Sequence, residues 1–171
     1  MEKEYDEKTQ KEIIDKVAMS GLKFLILSHE FRSNINYDPD DFIKLQGFSG
    51  PFILYSYVRT QAILRKLGQA PKIEEIDLKN FLNSKHEQEL LKHLENFSDV
   101  VETAGTQIAP HLVCNYLYET SQKFNAFYEN CPIKDAENEN EKNSRLALTS
   151  ATGQVLKNGL WMLGIDILEK M

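Results

Sequence analysis

One stretch limits what this chain can become: Gly50 to Lys66, GPFILYSYVRTQAILRK. It reads as a helix opening with Pro51, whose fixed φ and missing N–H suit a first turn, and closing before Gly68, which can take a left-handed cap. Phe52, Tyr55, Val58 and Ala62 form one apolar stripe, and Ile53, Tyr57, Leu64 and Leu67 form the next. A helix apolar over so wide an arc is expected at the centre of a bundle, covered on several sides. Arg59, Arg65 and Lys66 are the exceptions, and each must pair inside or reach a solvent edge.

The segments around this helix also read as helices. Thr9, with Glu12 in the capping-box place, is expected to start one that carries Ile13, Ile14, Val17 and Ala18 inward until Gly21 interrupts it. Leu22 to Leu27 is a short apolar run that periodicity does not assign and that we read as helix. Residues 28–37 look like a connector, and Asp38-Pro39 starts a short helix burying Phe42, Ile43 and Leu45. Beyond a loop over Gly68 to Lys79, Asn83 or Ser84 caps a helix through Phe97, and Ser98-Asp99 begins another turn or two. A long helix then covers Pro110 to Asn130, with Val113, Leu117, Phe124 and Phe127 facing the core and Tyr118 and Asn125 sharing a face. After a polar loop over 132–141, a last helix runs from about Lys142 to Leu163 and stops at Gly164. Gly153 and Gly159 inside it each cost about 1 kcal/mol relative to Ala, which close approach of another helix or a ligand would offset.

With 171 residues, 42% apolar and 27% charged, the chain can bury one good core. The fold expected is all-α. A net charge of −6 argues against indiscriminate nucleic-acid binding, although Arg59, Arg65, Lys66 and Lys72 lie in a segment free of carboxylates. Residues 1–12 lack a signal-peptide shape, and no apolar run approaches the roughly 18 residues that span a membrane, so a cytoplasmic location and no membrane partner are expected. Cys114 and Cys131 stand about 25 Å apart if one helix carries both, too far for a disulfide, and read as reduced core cysteines.

The search for catalytic chemistry is mostly negative. There is no Gly-rich phosphate loop, no paired zinc cysteines and no nucleophile elbow. His86, Glu89 and His93 share a helix face that could hold a metal, but a solvated surface explains them better, and no metal is expected. His111 and Cys114, one turn apart, lack an orienting third group. The aromatics say more: Tyr116, Tyr118, Phe124, Phe127 and Tyr128 crowd one helix, and such rings either fill a core or present a face on which bases of single-stranded RNA stack.

The order of the motifs narrows this. Asp38 to Phe42, Gly47 to Arg59, Asn115-Tyr116-Leu117-Tyr118 with Phe124 to Tyr128, Ser144 to Leu148, and Asn158-Gly159-Leu160 through Leu163-Gly164-Ile165 to Glu169-Lys170-Met171 together resemble the C-terminal part of arginyl-tRNA synthetases. In that family this part is the all-helical anticodon-binding domain called DALR, a helical bundle of the class I synthetase type. The resemblance implies a bundle over 47–171, with 1–46 a helical junction to a catalytic domain missing from this chain. It implies a module that holds the anticodon loop of arginine tRNA and reports to that catalytic domain, here expected as a monomeric C-terminal fragment with no catalytic residues and no activity alone. ATP and magnesium belong to the parent enzyme, and no cofactor is expected in the fragment.

Carried across residue by residue, the resemblance assigns Tyr118, Asn125 and Tyr128 to stacking on, or bonding with, anticodon-loop bases. It places Met171 near the anticodon pocket. Arg59 and Arg145 match family arginines, for which a phosphate contact and an internal ion pair are the two readings. Phe52 and Leu54 stand where the family commonly has Tyr and Gln, which removes a polar role from the start of that helix. Two alternatives remain: the related anticodon module of a glycyl-tRNA synthetase β chain, and a helical interaction protein that kept the fold and lost RNA.

Overall fold

The computed structural model describes residues 5–35, 47–72, 74, 76 and 83–170, and every regular element longer than a turn among them is a helix. In chain order these are α1 (Glu7–Leu27), α2 (Gly50–Leu67), α3 (Lys85–Glu95), α4 (Phe97–Gln107), α5 (Pro110–Asn130) and α6 (Glu139–Met162). The Asp38-Pro39 helix falls outside the described residues.

Helix α2 is the central one. Ser49 caps it by accepting the Phe52 N–H, Pro51 occupies its first turn, and Gly68 ends it at φ 120°, a positive angle outside the left-handed helical well expected there. It packs most extensively on α6 and α1 and also lies along α5. Its buried side is Ile53, Leu54, Ser56, Tyr57, Val58, Thr60 and Ile63. Of the stripe predicted through Phe52, Tyr55, Val58 and Ala62, Val58 is buried and Phe52 half-buried, while Tyr55 and Ala62 turn outward.

Two apolar clusters divide the interior. One gathers Phe24, Ile53, Leu54, Tyr57, Val58, Leu117, Leu156 and Leu160, and the other Ile63, Leu90, Phe124, Phe127, Cys131, Ile133, Leu146 and Leu148. Helices α2, α5 and α6 contribute to both. The small residues of α6 explain how they come so close. A Cβ on Gly159 would stand 2.4 Å from Leu117 Cδ2, and one on Gly153 would stand 2.6 Å from Thr60 Oγ1. Close helix approach offsets the conformational cost of both glycines.

The first helix departs from expectation. Its cap is Asp6, whose carboxylate accepts the Thr9 N–H at 2.7 Å, so Thr9 lies inside the first turn. Gly21 does not interrupt it. A Cβ on Gly50 would stand 2.2 Å from the Ser20 carbonyl oxygen and 2.9 Å from Phe24 Cβ, so Ser20, Phe24 and Gly50 form a tight crossing of α1 and α2. Ile14 is 64% exposed rather than inward. Phe24 nevertheless sits in the first core cluster, which joins α1 to the bundle. Lys23 Nζ also donates to the Gly164 carbonyl near the other end of the chain.

Candidate nucleic-acid interface

The outer edges of α2 and α5 meet along a seam. Phe52, Tyr55 and Arg59 follow one another on α2 at spacings of three and four, and Tyr118, Gln122 and Asn125 do the same on α5. At one end the half-buried Tyr118 ring stands edge-on to Phe48, centroids 5.1 Å apart, and leans on Phe52 at 5.6 Å. Its hydroxyl accepts the Gln122 amide N–H at 3.0 Å. Tyr118 is thus an aromatic floor.

Arg59 occupies the middle. Its Nη1 donates to Asn125 Oδ1 at 2.8 Å and its Nη2 donates to the Tyr55 hydroxyl at 2.9 Å. The guanidinium carbon lies 4.7 Å from the Tyr55 ring centroid and 5.6 Å from that of Tyr128, within cation–π range of both. Both tyrosines are exposed, and Tyr128 is backed by Phe124, centroids 6.4 Å apart. A guanidinium has five N–H donors, so two bonds to neutral partners leave donors and the whole charge available. The internal ion pair that sequence allowed for Arg59 does not form among the described residues.

The seam therefore unites four of the six sequence-predicted site residues: Arg59, Tyr118, Asn125 and Tyr128. Met171 lies outside the described residues. Arg145 belongs elsewhere. Only 7% exposed, it donates from Nε to Glu87 Oε1 at 2.7 Å, from Nη1 to the Pro132 carbonyl at 2.9 Å, and from Nη2 to Glu141 Oε1. Every nitrogen of its guanidinium has a partner inside the protein, so the internal ion pair replaces the phosphate contact. Glu87 is shared: its other oxygen accepts the N–H groups of Asn83 and Ser84 in a capping box that starts α3.

Tyr55 is the seam residue that sequence reasoning missed. Its signal was present, because Tyr55 and Arg59 stand four apart on one helix face, but wide apolar patterning assigned the tyrosine to the core. Beyond Tyr128 the seam opens into a cleft of about 390 Å³, lined by Arg59, Lys66, Tyr128, Lys134 and Asp135 among others. Lys134 and Asp135 come from the polar loop between α5 and α6.

Other candidates resolve into structure. His93 is 8% exposed, stacked on Tyr116 with centroids 4.3 Å apart, and bonded through Nε2 to Thr120 Oγ1 at 3.0 Å, so the solvated face expected for it is a core position. Burial lowers its pKa from the ordinary imidazole value, against opposing pushes from the Tyr116 carbonyl and Glu119. Burial also pushes the Cys114 thiol up to about 12, which leaves no thiolate to act as nucleophile. Cys114 and Cys131 are both free and buried. Among the described residues no three His, Cys, Asp or Glu side chains group as metal ligands, and no helix is long and apolar enough to cross a membrane.

The model of the DALR anticodon binding domain matches residues 53–171, from the first turn of α2 onward. The chain belongs to this family. As a DALR domain it is 38% identical over 155 residues to an arginine–tRNA ligase of Pseudomonas fluorescens, covering 91% of this chain and 26% of that protein. A relative from Stutzerimonas stutzeri is 38% identical over 168 residues, covering 98% and 29%. Among solved structures, the arginyl-tRNA synthetase of Thermus thermophilus matches with a TM-score of 0.89 at 26% identity, over 99% of this chain and 28% of that one. The Plasmodium falciparum arginyl-tRNA synthetase matches at 0.80 and 31% identity, over 94% and 28%. The DALR chain thus spans about a quarter of the length of the curated relatives it matches. These relatives are arginine ligases, which favours that reading over the glycyl-tRNA synthetase β chain.

Proposed function

We propose that this DALR chain binds the anticodon loop of arginine tRNA as the RNA-reading part of a longer arginine–tRNA ligase. In this reading aminoacylation, with its ATP and magnesium, belongs to a catalytic part outside this chain, whose second partner is that part. The observation that carries the proposal is the half-buried Arg59 on the seam, flanked by Tyr55, Asn125 and Tyr128 and held, among the described residues, by neutral partners.

The chemistry suits an unstacked base. Bases of single-stranded RNA are held by ring faces and read along their hydrogen-bonding edges. Tyr55 and Tyr128 supply exposed faces. The Asn125 amide oxygen accepts from Arg59, which leaves the amide N–H groups and the spare guanidinium donors for a ligand. Cytosine offers two adjacent acceptors, O2 and N3, on the edge such donors would meet, whereas uracil carries a proton at N3. Arginine anticodons share a cytosine at the middle position.

The test is binding of this chain to an arginine anticodon stem-loop and to the same RNA with uridine at the middle position, at low and moderate salt. The expected preference for cytosine is ~1 kcal/mol or more, the size of one hydrogen bond lost to a mismatched partner. Equal binding to both would remove the base reading and leave unselective RNA binding; no binding would favour a helical interaction module that has left RNA behind.

A further inference from the structure

The geometry points to a backbone-phosphate site in the cleft beside Tyr128, with Lys66 and Lys134 on its two walls; it rests on the anticodon-loop reading above. Three cations, Arg59, Lys66 and Lys134, line this cleft against one carboxylate, Asp135, in a chain whose net charge is −6. A local positive surplus on an acidic protein marks where a polyanion can approach, and the surrounding charge confines it there.

The two walls are of different origin. Lys66 stands in the last turn of α2, seven residues beyond Arg59 and on its side of the helix. Lys134 lies on the loop after α5, and that loop is fixed. Ile133 is 3% exposed, Cys131 is fully buried, and the Pro132 carbonyl accepts Arg145 Nη1 at 2.9 Å. The buried Arg145 therefore positions the Lys134 wall without touching the cleft. Neither lysine has an ion-pair partner among the described residues, so neither charge is spent inside the protein.

The cleft also has the right neighbour and size. Tyr128 and Arg59 belong to both the seam and the cleft, so a base stacked on Tyr128 would lead its own sugar-phosphate chain past Lys66 and Lys134. A volume of about 390 Å³ lies at the small end of ligand sites, suited to one nucleotide rather than a helix. Lysine serves as a point charge here, which holds phosphate without reading sequence.

This site makes a prediction distinct from base reading. In Lys66→Gln/Lys134→Gln, the slope of log affinity against log salt should fall by about 0.7, the increment for one phosphate on a single strand. Between 50 and 200 mM salt, the double variant should then lose affinity roughly 2–3-fold less than the unchanged chain. Its cytosine-over-uridine preference should stay as before. Lys11→Gln/Lys157→Gln, which removes two exposed lysines outside the cleft, on α1 and α6, controls for the same change in net charge. A preserved cytosine preference with a slope equal to that of Lys11→Gln/Lys157→Gln would overturn the phosphate site alone. No cytosine preference, or no binding, in the unchanged chain would overturn the anticodon reading and this site with it.

Discussion

Two arginines that sequence reasoning treated alike have opposite fates. Arg59 lies on an outer seam and is held by an amide and a phenol, while Arg145 lies in the core and is held by two carboxylates and a carbonyl. The difference lies in the partners, not in the residue. Neutral partners orient a guanidinium and leave its charge for something outside; carboxylates consume it. A buried ion pair is a weak argument for net stability against an apolar replacement of both groups, yet removing one member leaves an uncompensated charge inside. The core arginine should therefore matter to folding, and the seam arginine to binding.

The largest effect should come from breaking the core set. Arg145→Met leaves Glu87, 2% exposed, without its cation, and should cost about 3–5 kcal/mol in denaturant unfolding. The cytosine preference of the molecules that remain folded should not change. A loss of stability below about 1 kcal/mol would mean that Glu87 is served by its backbone donors alone.

Next comes the seam. Tyr128→Ala removes an exposed ring face and should weaken RNA binding by ~1–3 kcal/mol, the range for one base–aromatic stack, while Tyr128→Phe keeps most of the affinity. Stability should fall by about 1 kcal/mol or less, because the ring is 42% exposed. A steep stability loss with unchanged affinity per folded molecule would return Tyr128 to the core and undo half of the comparison.

The smallest effect is one of pH, and it too falls on the interior. The folded pKa of His93 lies below its unfolded value of about 6.5, because burial disfavours the imidazolium. The unfolded chain then binds more protons in that window. Stability from this source is complete above about pH 6.5 and declines as pH falls through 6.5 toward the lowered folded value. Urea midpoints at pH 7.5 and 5.5 should show a drop that His93→Gln diminishes. A drop of the same size in both proteins would assign it to other groups.

Much of this was legible in the chain. Pro51 and the wide apolar arc mark α2 as central, and Gly153 and Gly159 announce close contacts that Thr60 and Leu117 supply. What stayed hidden depended on distant partners. Arg145 meets Glu87 across 58 residues, and His93 meets Thr120 across 27, so no local pattern could separate a core arginine from a surface one or a core histidine from a ligand. Gly21 misled for a related reason. It lies buried within α1, beside Ser20, whose carbonyl meets Gly50, an approach that sequence spacing does not reveal. Tyr55 was misassigned because a helix apolar all round conceals which tyrosine carries its ring outward.

The most direct test of the contrast is to follow the arginine Nε–Hε resonances of this chain while an arginine anticodon stem-loop is added. The Arg59 signal should shift in step with binding while the Arg145 signal stays in place. Movement of Arg145 with a stationary Arg59 would contradict that contrast and place the RNA on the other side of the bundle's polar chemistry.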